Sequence, residues 1–498
     1  AYLDSNQLMV FSDMISTAAT AVADPSTSYG EEYDPVLVDE FQDVSGTNVE
    51  LLQKLTAGDD GPRQFCVGDD WQSIYSFQGS EVEYFVNFDD YFDSSTQTTL
   101  TKNYRSPAEI VQAGKTLIDN NERQLEKDLS AVADTQTTPR LHVLPDATDY
   151  QYKESVGQFA AERIQQYLAN SGTAPEDVMV LCQLDNGAPY LDAVKSELRE
   201  RTIPYDGKDD QYRPDTGPLS TIGYDDDGVA VFSIHQSKGK EAEHVIVLHA
   251  TDGDDGIPLA DRGNLLDPVK PIDTNSEAEA RRLFYVAITR AEGTLDITTK
   301  RGHRSTFVKE LQGHLSDVYQ LDAVSEADDR VTVEATVTDS SEDTHESKRQ
   351  EGVLADETGT RRFVIWDDTD FAPLSPGTRY RLSDVEISSF SGQLELHLTE
   401  STDVTPIGNT ETSVETPDTV IEATVQTIFD DPPEAIQQKG YLWDGSEQLY
   451  VTTWASENPP TLHEDATYRF VNPQLDEWNG TTDLIVTSDT QIERIDSN

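Results

Sequence analysis

The sequence predicts an α/β portion built on a buried parallel sheet, followed by two copies of a small all-β domain. Three observations carry this. Over residues 1 to about 320, short continuous apolar runs alternate with helical patterns. From about residue 328 the texture changes to short alternating strands with turn residues. Within that second region one pattern recurs at a constant offset of 88 residues. At 498 residues the chain is also too long for one ordinary domain.

Taken in order, the first pattern is a helix from Leu8 to Val22. The chain starts Ala1-Tyr2-Leu3, partway into that pattern and without methionine, which reads as a piece of a longer protein. Val36-Leu37-Val38, Phe65-Cys66-Val67, Val178-Met179-Val180-Leu181, Val229-Ala230-Val231-Phe232 and Val245-Ile246-Val247-Leu248 are expected to be strands buried on both faces. Ser106-Pro107-Ala108-Glu109 reads as a capping box with proline at the first helical position, opening a helix to about Leu129. Val156, Phe159, Ala160, Ile164, Tyr167 and Leu168 share one helical face, with Gly172 as the stop.

In the repeat, Glu334-Ala335-Thr336-Val337 returns as Glu422-Ala423-Thr424-Val425. Gly352 returns as Gly440, Trp366 as Trp454, Tyr380 as Tyr468, Leu396 as Leu484 and Ile407 as Ile495, while Phe390 is matched by Trp478. Eighty-odd residues with about five strands suit an oligonucleotide-binding (OB) barrel. The two copies are expected over 328–407 and 418–496, joined by the Thr/Glu/Pro-rich stretch from Gly408 to Pro417.

Composition narrows the class. Hydrophobic residues at 36% supply cores and argue against wholesale disorder. No run approaches the roughly 20 apolar residues of a membrane span, and no secretory signal is visible at the start. No membrane partner is expected, and the expected location is the cytoplasm. Cys66 and Cys182 sit in apolar runs and read as buried thiols, with no disulfide framework or zinc site. Ninety-four Asp and Glu against 36 Lys and Arg give a formal net charge of −58, spread along the chain. At molar salt the Debye length falls to about 3 Å. An evenly acidic surface therefore reads as adaptation to concentrated salt, and local charge must be read instead of net charge. From Ala280 to Lys309 seven basic residues stand against Glu292 and Asp296, so this stretch is expected to face a nucleotide or a DNA backbone.

Polar clusters follow three of the strand runs, where open parallel sheets place ligands. Val36–Val38 leads into Asp39-Glu40-Phe41-Gln42-Asp43, whose adjacent carboxylates can hold magnesium and orient a water towards a γ-phosphate. Phe65–Val67 leads into Gly68-Asp69-Asp70-Trp71-Gln72-Ser73-Ile74-Tyr75, and Val231–Ile234 into His235-Gln236-Ser237-Lys238-Gly239-Lys240-Glu241. In so acidic a chain, a lone Asp-Glu pair after a strand reads more readily as a solvated loop than as a catalytic site.

Together, and in this order, these stretches resemble motifs II, III and V of UvrD/Rep-type superfamily 1 DNA helicases. Asn103-Tyr104-Arg105-Ser106 resembles motif IV and Arg281 to Ala291 motif VI. Gly-Asp-Asp-Trp-Gln in motif III and Lys238 to Ala242 in motif V point to the helicase IV-like branch. The resemblance implies two RecA-like lobes, over 1–100 and 101–320, with ATP and Mg2+ as cofactors and single-stranded DNA as partner. It implies magnesium at Asp39, water activation by Glu40, γ-phosphate sensing by Gln72, and arginine fingers at Arg105 and Arg290. Tyr104 would stack on adenine, Glu241 would contact the ribose, and Gly68 and Asp69 would border the nucleotide. Tyr75, Phe77, His235 and Lys238 would touch DNA, although Tyr75 and Phe77 also suit an ordinary core.

Two departures accompany the resemblance. Gln78 stands where many relatives have arginine. No G-x-x-x-x-G-K-[ST] loop occurs: Gly114-Lys115-Thr116 has Glu109 where the upstream glycine belongs, and Gly239-Lys240 is followed by Glu241. The family carries this loop ahead of motif II, so the first lobe is expected to be incomplete, and the chain alone is expected to turn over ATP slowly or not at all. The tail resembles the single-strand-binding barrels of replication protein A, with Trp366, Phe390, Trp454 and Trp478 as candidate stacking residues. The reading is a 3′→5′ ATP-dependent DNA helicase fragment that translocates on single-stranded DNA. The alternatives are a single-strand-binding adaptor with an inactive motor remnant, or half of a split helicase whose partner segment supplies the loop.

Overall fold

The computed structural model describes residues 9–24, 35–57, 63–92, 95–133, 137–169, 172–183, 189–208, 210–214, 217–219, 227–253, 255–259, 276–341, 348–366, 369, 371–390, 393–409, 420–429, 436–443, 448–454, 461–464, 466–471, 474–478, 481–486 and 490–495. It divides into two compact units, 1–408 and 409–498.

The first unit begins with helix Phe11–Val22, a later start than the Leu8 expected. Strands β1 (Val36–Val38) and β2 (Gln64–Cys66) then pair in parallel, Leu37 opposite Phe65. Val38 and Cys66 pack on a small core of Phe41, Val44 and Val49. Leu37 and Phe65 point the other way and are 69% and 61% exposed. Burial on both faces therefore fails for this pair, because the described elements cover only one face. Cys66 is half-buried as a result, whereas Cys182 is buried as expected.

The second lobe behaves as a buried parallel sheet should. Its strands are β3 (Lys102–Asn103), β4 (Ser130–Ala131), β5 (Arg140–Leu144), β6 (Val178–Cys182), β7 (Tyr205–Asp206), β8 (Gln211–Arg213), β9 (Gly217–Leu219), β10 (Val229–Ser233), β11 (Ala242–Val247), β12 (Ala291–Lys300) and β13 (Ser316–Tyr319). β3 and β4 pair apart from the rest, and the main sheet runs β13-β5-β12-β11-β6-β10-β7-β8-β9. Alternation feeds two cores. Met179 and Leu181 face helices Ala108–Ile118 and Ser276–Ile288, while Val178, Val180 and Cys182 face helices Asp149–Leu168 and Pro189–Glu200. The helical face from Val156 to Tyr167 is buried as the pattern predicts.

Helix Ala108–Ile118 corrects two expectations. Ser106 Oγ donates to the Ala291 carbonyl at 2.7 Å, so Pro107 occupies the cap and no capping box forms. The helix stops at Ile118, eleven residues before Leu129, where the Asn121 amide turns back to the Ile118 carbonyl (2.8 Å). Asp119-Asn120-Asn121 favours that turn, since short polar side chains compete with helical backbone bonds. Gly114 lies inside this helix beneath Tyr285, where an added Cβ would stand 2.9 Å from the ring, so Gly114-Lys115-Thr116 forms no phosphate loop.

The first barrel comprises β14 (Arg330–Ser341), β15 (Lys348–Asp356), β16 (Gly359–Trp366), β17 (Thr378–Phe390), β18 (Gln393–Leu398) and β19 (Asp403–Asn409). It closes as β14-β15-β16-β18-β17-β14, the five-stranded barrel expected. β14 also pairs with β13 (Val333 opposite Tyr319), which joins this barrel to the second lobe. The seam is ionic. Asp296 on β12 is wholly buried and accepts from Arg140 (2.7 and 3.2 Å) and Arg163 (3.1 Å), with His142 Nε2 at 2.7 Å. Glu334 on β14 pairs with Arg163 at 3.0 Å and Arg381 at 3.6 Å.

The second unit repeats the barrel: β20 (Val420–Ile428), β21 (Ile436–Trp443), β22 (Gln448–Trp454), β23 (Thr467–Val471), β24 (Gln474–Trp478), β25 (Thr481–Val486) and β26 (Gln491–Arg494). Its order is β24-β25-β22-β21-β20-β23-β26. The 88-residue offset has structural content. Gln350 bonds both backbone groups of Leu374 (2.7 and 2.8 Å), as Gln438 bonds those of Leu462 (2.9 and 2.6 Å). Tyr380 accepts the Ser375 amide and Tyr468 the His463 amide, both at 3.1 Å. A Cβ on Gly352 would meet the Asp339 carbonyl at 2.2 Å, and one on Gly440 the Thr427 carbonyl at 2.1 Å, each beside a register shift. Only glycine fits these bulges. Of the linker expected from Gly408 to Pro417, residues 410–417 lie outside the described residues.

Candidate nucleotide cleft and nucleic-acid surface

β1 ends at Val38 and the chain turns at once. Glu40 adopts φ +49°, a left-handed conformation uncommon for a residue with a side chain. Its amide donates to Asp39 Oδ1 at 2.8 Å, and both carboxylates are exposed. Gln42, wholly buried, donates to Glu40 Oε2 at 2.5 Å and accepts the Asp69 amide at 2.9 Å. It thereby locks the loop after β1 to the loop after β2, a role with no signal in the sequence beyond its place in the cluster.

The loop after β2 leads across to the second lobe. Asp69 accepts the Trp71 amide (3.1 Å) and Gln72 Nε2 (2.7 Å), and Gln72 Oε1 accepts Arg290 Nη2 (3.1 Å). Arg290 is 1% exposed and donates further to the carbonyls of Val286 (3.1 Å) and Lys240 (3.0 Å). Burial, reinforced by the charge of Arg105, pushes its pKa down to about 10, against the pull of Glu241 and Glu40. Arg105 pairs with Glu241 at 2.6 Å, and Tyr104 beside it is 74% exposed. Glu40, Gln72, Arg105, Glu241 and Arg290 thus share one electrostatic neighbourhood, with Asp39 adjoining. Among the described residues no group of three or more His, Cys, Asp or Glu is placed to hold a metal. Two carboxylates are what magnesium takes from a protein when phosphates and waters complete its shell.

Several assignments change. Lys238 is engaged within the protein: it bonds Asp43 and the Gln72 carbonyl (3.2 Å) and lies 3.5 Å from Glu40 and 5.0 Å over the Tyr75 ring. A lysine this enclosed goes to the nearest carboxylates. Gly68 has a packing reason, since a Cβ there would meet Gln42 Oε1 at 2.4 Å and Phe85 at 2.9 Å. Asp69 is engaged within the protein, its Oδ1 also meeting Lys127 at 2.5 Å. Lys127, absent from the sequence reading, pairs with buried Asp70 as well (2.5 Å).

The basic stretch is the largest correction. Arg281 pairs with Glu277 and Glu310, Lys300 with Asp146, Arg301 with Asp328, Arg304 with Asp317 and Lys309 with Asp252. Arg282 donates to the Ser73 carbonyl at 2.6 Å. The anions these cations face are the chain's own carboxylates, which a chain with 94 of them supplies at every turn. Arg290 alone of the seven lies in the cleft.

Tyr75, Phe77 and His235 lie side by side. Phe77 is 68% exposed with its ring 6.0 Å from Tyr75 and 5.5 Å from His235, and Tyr75 donates to the His235 carbonyl at 3.3 Å. Burial lowers the His235 pKa, so this surface presents rings rather than charge. In the first barrel Trp366 is half-buried, edge-on to His397 at 5.4 Å. Phe390, Trp454 and Trp478 close β17, β22 and β24, but their side chains lie outside the described residues.

Parts of the chain are similar to known proteins. Residues 1–93 match the UvrD/REP helicase N-terminal domain and residues 220–302 the UvrD-like helicase C-terminal domain. Over these segments the chain is similar to UvrD-like helicases. DNA helicase IV of Escherichia coli is 26% identical over 279 residues, 56% of this chain and 35% of that protein. DNA helicase II of Escherichia coli is 41% identical over 101 residues, 20% of this chain and 14% of that one. ATP-dependent DNA helicase UvrD1 of Mycobacterium tuberculosis is 32% identical over 204 residues, 39% and 25% of the respective lengths. The chain thus spans about a third or less of these relatives. Among solved structures, the OB domain of a Methanosarcina mazei protein is 25% identical, with a TM-score of 0.17, covering 18% of this chain and 89% of that one. The barrel assignment rests on the strand order above. Among the described residues no helix is long and apolar enough to cross a membrane.

Proposed function

We propose that this chain is the motor-and-tail portion of an ATP-dependent DNA helicase that moves 3′→5′ along single-stranded DNA. The observation that carries this is the chain of contacts from Glu40 through Gln42, Asp69 and Gln72 to Arg290, which links acidic and basic cleft residues from two lobes. When bound, Mg·ATP supplies the bond whose cleavage drives the cycle. Asp39 holds the ion, and Glu40 takes a proton from the attacking water. Arg290 and Arg105 stabilise charge developing on the terminal phosphate, an effect worth about 10³–10⁵ in rate for arginine fingers. Gln72 reports the state of the cleft to Arg290, and Tyr104 offers its exposed ring to a base. Tyr75, Phe77 and His235 form the strand-facing surface, and the barrels hold single strand through Trp366, Phe390, Trp454 and Trp478. The acid-rich surface suits work in concentrated salt.

No G-x-x-x-x-G-K-[ST] loop exists within these 498 residues, so turnover requires a phosphate loop supplied in addition to them. This same fact favours a second reading, a single-strand-binding adaptor whose motor remnant is silent. ATP hydrolysis with single-stranded DNA, in molar KCl, with and without a loop-bearing segment, separates the two. The helicase reading predicts that the segment restores DNA-stimulated hydrolysis. Hydrolysis that stays absent with the segment bound contradicts it and leaves the adaptor.

A further inference from the structure

The seam between the second lobe and the first barrel holds charges that the motor does not use. Three guanidiniums (Arg140, Arg163 and Arg381) meet two carboxylates, Asp296 and Glu334. His142, whose pKa burial lowers, adds no carboxylate to the balance. The cluster therefore keeps one positive charge in excess, inside a chain of net charge −58.

A cavity of about 350 Å³ opens over this excess, lined by Thr137, Thr138, Arg140, Thr294, Ser316 and Arg381. Its lining is two guanidiniums and four hydroxyl side chains, with no carboxylate. Arg381 donates to Ser316 Oγ at 2.8 Å, and Arg140 is anchored on Asp296 and Tyr167 (3.0 Å), so both heads are held at the cavity wall. Thr137 already donates to the Gly293 carbonyl (2.7 Å) and Thr294 to the Tyr167 hydroxyl (3.1 Å), which leaves the Thr138 and Ser316 hydroxyls beside the guanidinium groups to match the acceptor oxygens of a phosphate. The backbone register is itself part of the repeat, setting Glu334 opposite Arg381 and Glu422 opposite Arg469. What turns the first copy into a cavity is the lobe's contribution of Arg140, Thr137, Thr138 and Thr294.

The geometry points to a phosphate-binding site in this cavity, where Arg381 takes one phosphate group beside the Asp296-paired Arg140. Its source is either a phosphodiester of a single strand that runs from lobe to barrel, or free inorganic phosphate. The strand arm rests on the DNA-binding reading above, and the free-phosphate arm is independent of it.

The test uses the full chain in two arms. In the first, thermal unfolding is followed in sodium phosphate against sodium chloride at matched ionic strength. Phosphate raises the melting temperature of the wild type, and Arg381→Gln and Thr138→Val each reduce that rise. Thr138 is exposed, so its variant keeps the test valid should the arginine variant fold poorly. In the second, binding of a fluorescent oligothymidylate weakens about tenfold in Arg381→Gln, and the slope of log K against log salt falls by about 0.7, one single-strand phosphate contact. Stabilisation by phosphate with unchanged oligonucleotide binding assigns the site to the free anion. No response to phosphate in the wild type, together with unchanged oligonucleotide binding in both variants, overturns the site.

Discussion

Asp296→Asn tests whether the seam between the second lobe and the first barrel is held by buried charge. The substitution keeps the shape of the side chain and deletes its charge, leaving Arg140 and Arg163 with Glu334 as the remaining carboxylate of the cluster. Breaking a buried pair from one side costs about 3–5 kcal/mol, because the partner stays charged and unpaired. Here two guanidiniums lose the same partner, so the upper part of that range applies. Screening does not rescue the variant, since buried pairs feel salt weakly. Urea unfolding followed by tryptophan fluorescence, at low and at molar KCl, is expected to show a similar loss at both. The pH sign is fixed as well. Although burial opposes ionisation, Arg140 and Arg163 hold the Asp296 carboxyl well below its ordinary value of 3.8. Its contribution is therefore complete above that value and lost as pH falls below it. The wild type should lose stability there, and the Asn variant should be flat by comparison. A loss under about 1 kcal/mol, the worth of a surface pair, would refute the reasoning and show the seam to be hydrated.

The same titration carries a second group: burial is more than offset by Arg163 and its neighbours, so Glu334 is held at about 2 instead of 4.5. Glu334→Gln should remove the part of the acid transition lying between those two values. At the other end of the scale, burial pushes Asp356 up to about 7 and Glu357 up to about 8. Raised acids favour folding while protonated, so the melting temperature should fall as pH rises through that range, and Glu357→Gln should flatten the fall. With the loop-bearing segment present, Arg290→Ala is expected to cost about 10³–10⁵ in DNA-stimulated ATP hydrolysis while oligonucleotide binding in a filter assay stays at the wild-type level. Trp366→Ala should weaken oligonucleotide binding by about 1–3 kcal/mol if the ring stacks on a base, and unchanged affinity by fluorescence anisotropy would remove Trp366 from the strand path.

Much of the fold was legible because a parallel strand buried on both faces must be apolar at every position. β6 meets that condition throughout, and β10 and β11 meet it over Val229–Phe232 and Val245–Val247, the runs readable as strands from composition alone. The repeat was legible for a stronger reason: Gln350, Gly352 and Tyr380 each do a local job that their counterparts do 88 residues later. Burial at β1 and β2 was misjudged because apolar residues show what a strand could bury and not what covers it. The end of helix Ala108–Ile118 was misjudged because the apolar pattern was followed past the Asp-Asn-Asn turn. The cleft was legible as a set of loops after strands, yet the fates of Lys238, Asp69 and Lys127 depend on contacts between residues tens to hundreds of positions apart. Spacing along the chain carries no information about such pairs.

The acidity of the chain gives a way to tell its structural cations from its available ones. Where a buried or half-buried arginine meets a carboxylate, ionisation is favoured, and Arg140, Arg163, Arg213, Arg281 and Arg301 all have raised pKa values despite the opposing cost of burial. Two described arginines go the other way. Arg290 is held by two carbonyls and an amide, and Arg381 by a serine hydroxyl with its carboxylate at a long 3.6 Å; burial and neighbouring guanidiniums lower both. A guanidinium fixed by neutral acceptors keeps its charge uncompensated, so an arriving anion gains more from it than from one already paired. One of these arginines stands in the proposed nucleotide cleft and the other lines the cavity at the seam. The rule can fail visibly: replacing Arg281, which is well paired with Glu310, should cost stability and leave phosphate and oligonucleotide binding unchanged, whereas Arg381→Gln should do the reverse.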